Sequence, residues 1–296
     1  MTRALPQPAL PTPRKSGRWG VGFSLTLGLP LLWVTVLYLV PLLLLLIYAF
    51  WRYDPVQGET VRTFSLENFR EIFGSSAYLR TIGRTVLVAL GVTLIDAIIS
   101  LPLAYFIARH GGRHRALLTL LVILPLWSSY LVRAFAWKVI LGTNGVLNGF
   151  LMAVGVLHEP SPLFLYSNFA VVLTFVHVWL PFMILPLITA FERLPQSLLE
   201  VGGDLGARPS AVFWRVTLPM VFPGLLAGGL SVFSLTMGDF ITPSLVGGTS
   251  SNQVGNLVAT QFGVSDNWPL GAAFSLVVIG IVVGVMAVVQ RRAEAL

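Results

Sequence analysis

Four long runs of hydrophobic positions, free of Asp, Glu, Lys and Arg, divide the chain: 19–51, 160–191, 216–238 and 267–290. Each run exceeds the roughly 20 apolar residues that a helix needs to cross the hydrocarbon core of a bilayer. Two further apolar segments, each with one interior charge, lie between the first two runs. The pattern predicts an all-α membrane protein with six transmembrane helices.

The six predicted spans cover about 25–50, 85–108, 116–137, 170–191, 223–245 and 270–290. Together with their connections they form one transmembrane domain, residues 25–296, in which the loop 192–222 joins spans 4 and 5. A basic tail, residues 1–24, precedes it, and its four prolines predict disorder. The apolar run after the tail is too long for a signal peptide, so we expect it to be retained as span 1.

Composition and charge support this picture and narrow the function classes. The chain is 55% hydrophobic and 10% charged, whereas soluble domains carry roughly 25% charged residues. The net charge of +7 is scattered beside the apolar runs, which fits lipid head groups and not a nucleic-acid groove. Because the chain has no cysteine, disulfides, thiolate metal sites and cysteine catalysis are excluded.

The distribution of basic residues predicts the orientation in the membrane. Six spans place both termini on one side, and the segments on that side carry twelve Lys and Arg against seven on the other. Positive charge favours the cytoplasmic side. We therefore expect both termini in the cytoplasm, with long outer loops at 52–84 and 142–168. In the first of these loops Ser65–Phe73 has helical spacing with a possible cap at Ser65.

The segment 192–222 has the most informative pattern in the chain. Apolar positions alternate with charged ones, Gly206 can end a short helix, and Pro209 suits the first turn of the next. These features predict two short amphipathic helices at the membrane surface, joined by a tight turn. The apolar positions are Leu198, Leu199, Leu205, Val212, Phe213, Val216 and Leu218.

Spaced positions in this segment resemble the signature of the membrane permeases of ABC importers. Glu200 is followed after six residues by Gly206, and after ten more by Val216. Leu218-Pro219 completes the signature. Where the family has Ala-Ala after the glutamate, this chain has Val201-Gly202. The resemblance implies the type I importer permease fold, with a cytoplasmic coupling helix between spans 4 and 5.

The resemblance also implies partners. A coupling helix fits a cleft of a cytoplasmic ATPase, and Glu200 pairs with a basic group there or caps its own helix turn. The chain lacks a Walker A sequence, so we expect no catalytic residue and no cofactor in it, with ATP and Mg bound by the partner. Two ATPase subunits, a second permease (a different chain or a copy) and an extracytoplasmic binding protein complete the expected complex. The implied coupling residues are Glu200, Gly202, Leu205, Gly206, Val216, Leu218 and Pro219.

Further phrases narrow the resemblance to the spermidine/putrescine branch, among them LPLWSSYLVRAFAW from Leu124 and MGDFITPSLVGG from Met237. This implies a bacterial inner-membrane permease for a polyamine, although related branches carry similar phrases for other small metabolites. The two acidic residues inside spans also favour a cation, because an anion would need Arg, Lys or helix N-termini along its path.

Four residues inside the spans are candidates for the substrate path. Asp96 contacts the substrate or is a structural partner of Thr93 or Ser100. Asp239, between a glycine and a proline, marks an interruption of span 5, which is tolerated where backbone lines a cavity. Trp127 and Tyr130 can stack on ammonium groups or belong to an interfacial aromatic belt.

Two other classes of function compete with the importer permease. A secondary transporter would use the two aspartates as ion sites, but no repeated pair of broken helices is evident and the Glu200–Pro219 pattern is not needed there. An intramembrane enzyme would need a nucleophile with its base, or a metal site, and none can be assembled from the residues within the spans. The pairs Gly224/Gly228 and Gly280/Gly284 have the spacing for close helix packing.

Overall fold

A computed structural model describes residues 21–294, so the predicted disordered tail lies, except for its last four residues, outside the described residues. The helices are α1 Val21–Val34, α2 Val40–Ala49, α3 Glu67–Gly74, α4 Ser76–His110, α5 Arg115–Ile123, α6 Tyr130–Leu141, α7 Val146–Ala153, α8 Asn168–Arg193, α9 Gln196–Asp204, α10 Pro209–Val212, α11 Leu218–Gly238, α12 Val254–Phe262 and α13 Trp268–Glu294. Two short antiparallel strands, β1 Arg52–Asp54 and β2 Glu59–Val61, form a hairpin.

The chain divides after Ile47 into two units. In the first unit, a π-helical turn at Thr35–Leu39 joins α1 to α2, so the helix continues. Residues Gly28–Ala49 are long and apolar enough to cross a membrane. The large apolar side chains along residues 29–47 suit a helix that is surrounded by lipid.

In the second unit α8 is the central helix, and α4 and α11 pack against it. The core contains Phe175, Met183, Leu187 and Phe191 of α8, with Val92 of α4 and Val232 of α11. Glycine allows α11 to approach α8 closely. A Cβ at Gly224 would lie 2.6 Å from the Cβ of Ala190, and one at Gly228 would lie 3.0 Å from the Cα of Met183. The packing role of this glycine pair is confirmed.

The second glycine pair behaves differently. A Cβ at Gly280 or Gly284 of α13 would meet no described atom within 4 Å. The prediction that this pair packs tightly is therefore wrong within the described chain. Spacing alone does not decide which face of a helix meets a neighbour in the same chain, and this face of α13 points outward.

The predicted third span is not one straight helix. The helical stretches Gly112–Trp127 and Tyr130–Ala153 meet at 90°. Pro125 lies at the start of a 3₁₀ turn, Leu124–Trp127, and the backbone of Ser128 and Ser129 is extended. Proline removes a backbone donor and favours such an interruption. The described residues contain five helices long enough to span a membrane, or six if this bent pair is one span.

Candidate coupling segment and substrate path

Two short helices and a tight turn follow α8, as the sequence predicts. α9 ends at Asp204, and Gly206 has the left-handed φ of 75° that favours glycine. The amide of Ala207 donates to the carbonyl of Gly202 at 3.1 Å, the long-range bond of a Schellman C-cap. Pro209 begins α10 at its first position.

The second of these helices is not separate from span 5. α10 continues through a π-helical turn, Phe213–Thr217, directly into α11. Residues Pro209–Gly238 therefore form one long apolar helix. Val216 and Leu218 are half-buried near its start and Pro219 is exposed. The proline is tolerated so far along the helix because the wider π-helical turn lies immediately before it.

Gly202 is the contact point between α9 and α10. A Cβ at this position would lie 2.9 Å from Cγ2 of Val212, so a larger residue cannot be accommodated without movement. Val201, the bulkier residue of the Val201-Gly202 departure, is 53% exposed and does not disturb this contact. The departure from Ala-Ala therefore keeps a small residue at the position where the packing requires one.

The solvent-exposed side of α9 and of the turn after it carries apolar side chains. Leu205 is 82% exposed, and Leu198 and Val201 are exposed beside it. Glu200 is exposed on the same short helix. Leu198, Val201 and Leu205 are spaced by three and four residues and share one side of the helix, whereas Glu200 lies toward the other side. Exposed apolar side chains grouped on one side are typical of a docking surface. This face can receive a partner without any change in the helices behind it.

Asp239 follows the last residue of α11 and occupies a break in the helix, as predicted. Its Oδ1 accepts from the amides of Ile241 at 2.7 Å and Thr242 at 3.2 Å, so it caps the helical segment that begins at Ile241. The first turn of α12 packs closely on this break. A Cβ at Gly255 would lie 2.5 Å from the carbonyl oxygen of Asp239.

The other carboxylate oxygen of Asp239 binds side chains. Oδ2 accepts from the phenol of Tyr130 and, at 3.2 Å, from the hydroxyl of Thr242. Tyr130 also stacks on Trp179 of α8, with ring centroids 5.4 Å apart and 13° between planes. Asp239 is 8% exposed. This arrangement holds a carboxylate in place beside a pair of aromatic rings.

Trp127 is not part of this cluster. It ends the 3₁₀ turn before the bend of span 3 and is 74% exposed. The structure therefore brings Tyr130 and Asp239 together and leaves Trp127 on an open surface. An exposed indole in a membrane segment can stack on a cation or lie among lipid head groups.

Asp96 lies on the buried face of α4 and has no exposed surface in the chain. Neither of its carboxylate oxygens has a hydrogen-bond partner within residues 21–294. The hydroxyl of Thr93 donates instead to the carbonyl of Ala89, at 2.7 Å, and the hydroxyl of Ser100 is also unpaired there. The expectation that Thr93 or Ser100 is the partner of Asp96 is wrong, because Thr93 satisfies its own helix.

Sequence reasoning named Asp239 and Tyr130 separately and missed their contact. It also missed Thr242. A signal for the cap was present, since Asp239 stands three residues before Thr242 and four before Pro243, a sequence typical of a helix N-terminus. The bond from Tyr130 joins positions 109 residues apart, and no local pattern predicts such a pairing.

A model for binding-protein-dependent transport system inner membrane components matches residues 100–293 of the chain. The chain belongs to this family. It is the permease subunit of an ABC importer, and permeases of this family carry no ATPase site of their own.

Individual relatives agree with this assignment over nearly the whole permease. The chain is 40% identical over 285 residues to the inner membrane ABC transporter permease protein YdcU of Escherichia coli K12. The match covers 92% of this chain and 90% of that protein. The chain is 36% identical over 255 residues to the spermidine/putrescine transport system permease protein PotB of Haemophilus influenzae, covering 86% and 87%.

A solved structure has the same fold. A chain of a bacterial ABC transporter that imports the acidic polysaccharide alginate superposes with a TM-score of 0.72. The match covers 93% of the permease and 96% of that chain at 15% sequence identity. The type I importer permease fold expected from the sequence is confirmed.

Proposed function

We propose that this permease forms the membrane path for a small cationic solute of the polyamine class. The observation that carries this proposal is the similarity to permeases named for spermidine and putrescine. The Haemophilus influenzae protein is 36% identical and the Escherichia coli K12 protein 33% identical, over 86% and 89% of this chain. An extracytoplasmic binding protein delivers the solute.

The chemistry around Asp239 supports a cation. In this proposal the negative charge of Asp239, held in place by Tyr130, attracts ammonium groups. Trp127, exposed just before the bend of span 3, contacts them through its ring face on the way. Asp96 has no exposed surface in the described chain. A carboxylate without exposed surface does not contact the solute in this conformation, so we assign the charge on the path to Asp239.

The open face of α9 supports a role in coupling to an ATPase. We propose that Leu205 and Glu200 contact a cleft of a cytoplasmic ATPase subunit, which binds ATP and Mg. Gly202 and Gly206 shape the helix, while Val216, Leu218 and Pro219 begin the span that it moves. Two such ATPases and a second permease, different or identical, complete the transporter. We propose that both termini lie in the cytoplasm, on the same side as this segment.

Solute uptake tests the substrate class. Cells lacking this permease, and the same cells with it restored, are given labelled putrescine, spermidine or 2-aminoethylphosphonate. The last is included because the chain is 27% identical to a putative 2-aminoethylphosphonate permease of Salmonella typhimurium. We expect restored uptake of a polyamine only. Restored uptake of the phosphonate alone, or of none of the three, would reject the polyamine assignment.

A further inference from the structure

The end of α4 is bonded to the chain immediately before α9. Arg109, in the last turn of α4, donates from Nη2 to the carbonyl of Leu194 at 2.5 Å. Leu194 is the C-cap of α8, is 4% exposed, and precedes α9 by two residues. The last carbonyls of a helix lack partners within the helix. The guanidinium supplies one from a different span.

A second bond joins the start of α5 to the same place. Arg115, the first residue of α5, forms an ion pair with Glu192 in the last turn of α8. The side chains of Arg115 and Glu192 remain 41% and 32% exposed, so the pair adds little to stability. It does connect the start of α5 to the end of α8.

Between Arg109 and Arg115 the chain turns tightly. A Cβ at Gly111 would lie 2.4 Å from the carbonyl oxygen of Ile107 and 3.1 Å from the Cα of Arg115. The turn therefore has little room to deform. A force applied to either arginine moves the ends of α4 and α5 together.

Aromatic contacts bring a third helix to this junction. The ring of Tyr105 meets Phe191 of α8 edge to face at 5.5 Å. It lies 6.5 Å from the ring of Phe213, at the start of span 5, again nearly perpendicular. The ends of α4 and α8 and the beginning of span 5 thus meet around one tyrosine, next to the two ends of the segment that contains α9.

We infer that Arg109 and Arg115 are positioning residues that transmit displacement of α9 to spans 2 and 3. The inference rests on the proposed role of α9 in coupling. Backbone connects α9 to α8 on one side and, through α10, to α11 on the other. Spans 2 and 3 have no backbone connection to α9. α4 packs on α8 within the core, and next to α9 the bonds of Arg109 and Arg115 and the Tyr105 contacts join spans 2 and 3 to the two ends of the α9 segment.

The test uses the assembled transporter with its ATPase in proteoliposomes, measuring putrescine and spermidine uptake and ATP hydrolysis in parallel. Arg109→Gln removes the charged donor to Leu194, and we expect uptake to fall about tenfold or more. The ATPase should still co-purify and hydrolyse ATP. Arg113→Gln is the matched control, since Arg113 is exposed in the same turn and bonds to the adjacent His114. Its uptake should remain within about twofold of the wild type.

A charge exchange isolates the ion pair. Arg115→Glu should lower uptake, and adding Glu192→Arg should restore it. This pair of variants decides the question if Arg109→Gln fails to reach the membrane. Normal uptake by Arg109→Gln and Arg115→Glu would overturn the inference, as would equal losses in Arg113→Gln. Loss of the ATPase from Arg109→Gln would overturn it too, by making Arg109 part of the docking surface.

If the coupling proposal itself is wrong, the result differs from a failure of the inference about the arginines. In that case Glu200→Ala keeps the ATPase bound and uptake normal, whatever the arginine variants do. If Glu200→Ala releases the ATPase while Arg109→Gln retains it with low uptake, docking and transmission are separate functions of neighbouring residues.

Discussion

The phenol of Tyr130 donates a hydrogen bond to the carboxylate of Asp239, and each residue lies at an interruption of a membrane helix. Tyr130 begins α6 just after the right-angled bend of span 3, and Asp239 follows the end of α11. The bond therefore joins two irregular stretches of backbone, which membranes tolerate only inside protein or beside a cavity. Neither break can move far without loss of this bond.

Asp239→Asn separates the charge of this residue from its capping role. Asparagine caps helices as well as aspartate does, and its NH2 group can donate to the hydroxyl oxygens of Tyr130 and Thr242 that now donate to Oδ2, so we expect stability to change little. Uptake of a cationic substrate should fall roughly ten- to hundredfold, because a charged contact of about 1.5–3 kcal/mol is lost. Thermal unfolding in detergent and uptake by proteoliposomes measure the two effects. Asp96→Asn is the control, and its uptake should stay normal. Normal transport by Asp239→Asn together with loss of transport in Asp96→Asn would show that Asp96, and not Asp239, contacts the substrate.

Asp96→Leu should leave the stability of the permease unchanged or raise it, whereas Asp239→Leu should lower it. The carboxylate of Asp96 has no hydrogen-bond partner among the described residues, and replacing such a group with an apolar one is neutral or stabilising. Asp239→Leu removes the cap and the bond from Tyr130, which should cost about 2 kcal/mol or more. Denaturation midpoints of the two variants provide the comparison. Equal destabilisation by both variants would contradict this prediction.

Glu200→Ala should leave the permease folded and release its ATPase. Glu200 is exposed on α9, so its removal disturbs no packing within the chain. Co-purification of the ATPase with a tagged permease gives the readout, and uptake should fall with it. Arg208→Ala, an exposed change in the following turn, serves as the control. Unchanged uptake and binding in Glu200→Ala would remove α9 as the coupling helix.

Gly202→Val should destabilise the α9–α10 contact, and a second change should restore it. The new Cβ would lie 2.9 Å from Cγ2 of Val212, and overpacking of this kind costs about 1–3 kcal/mol. Gly202→Val combined with Val212→Ala makes room for the added atoms. Protease sensitivity of the α9 segment and ATPase co-purification should both recover in the double variant. If the double variant does not recover, the effect of Gly202→Val does not come from the contact with Val212.

Gly228→Leu and Gly284→Leu test the two glycine pairs. At Gly228 the new side chain meets Met183 of α8, whereas at Gly284 it meets open space. We expect Gly228→Leu to prevent normal folding or lower stability by about 1–3 kcal/mol, and Gly284→Leu to be tolerated by the isolated permease. Yield and thermal unfolding in detergent compare them. A marked loss in Gly284→Leu only within the assembled transporter would show that α13 packs on another subunit.

The sequence was sufficient for five of the six predicted spans and for the helix–turn–helix around Gly206, because long apolar runs, glycine and proline act locally. It was insufficient where two distant segments decide the structure. The 90° bend at Ser128 and Ser129 follows a proline that many membrane helices tolerate within a continuous span. The bonds of Arg109 to Leu194 and Tyr130 to Asp239 link positions 85 and 109 residues apart. Such pairings depend on how the helices are arranged, and a single sequence does not reveal that arrangement.

Because α4 is longer than the bilayer core is thick, a small tilt of this helix displaces one of its ends by several ångströms. At about 1.5 Å per residue its 35 residues extend for about 52 Å, while the hydrocarbon core is only about 30 Å thick. Thr85, the tenth residue of α4, accepts from the amide of Val254 at 3.0 Å, and in the last turn of α4 Arg109 donates to the carbonyl of Leu194. A tilt of about 5° about one end moves the opposite end by about 4–5 Å. Thr85 lies 24 residues, or about 36 Å, from Arg109, so the same tilt about the Arg109 end shifts the loop before α12 by about 3 Å.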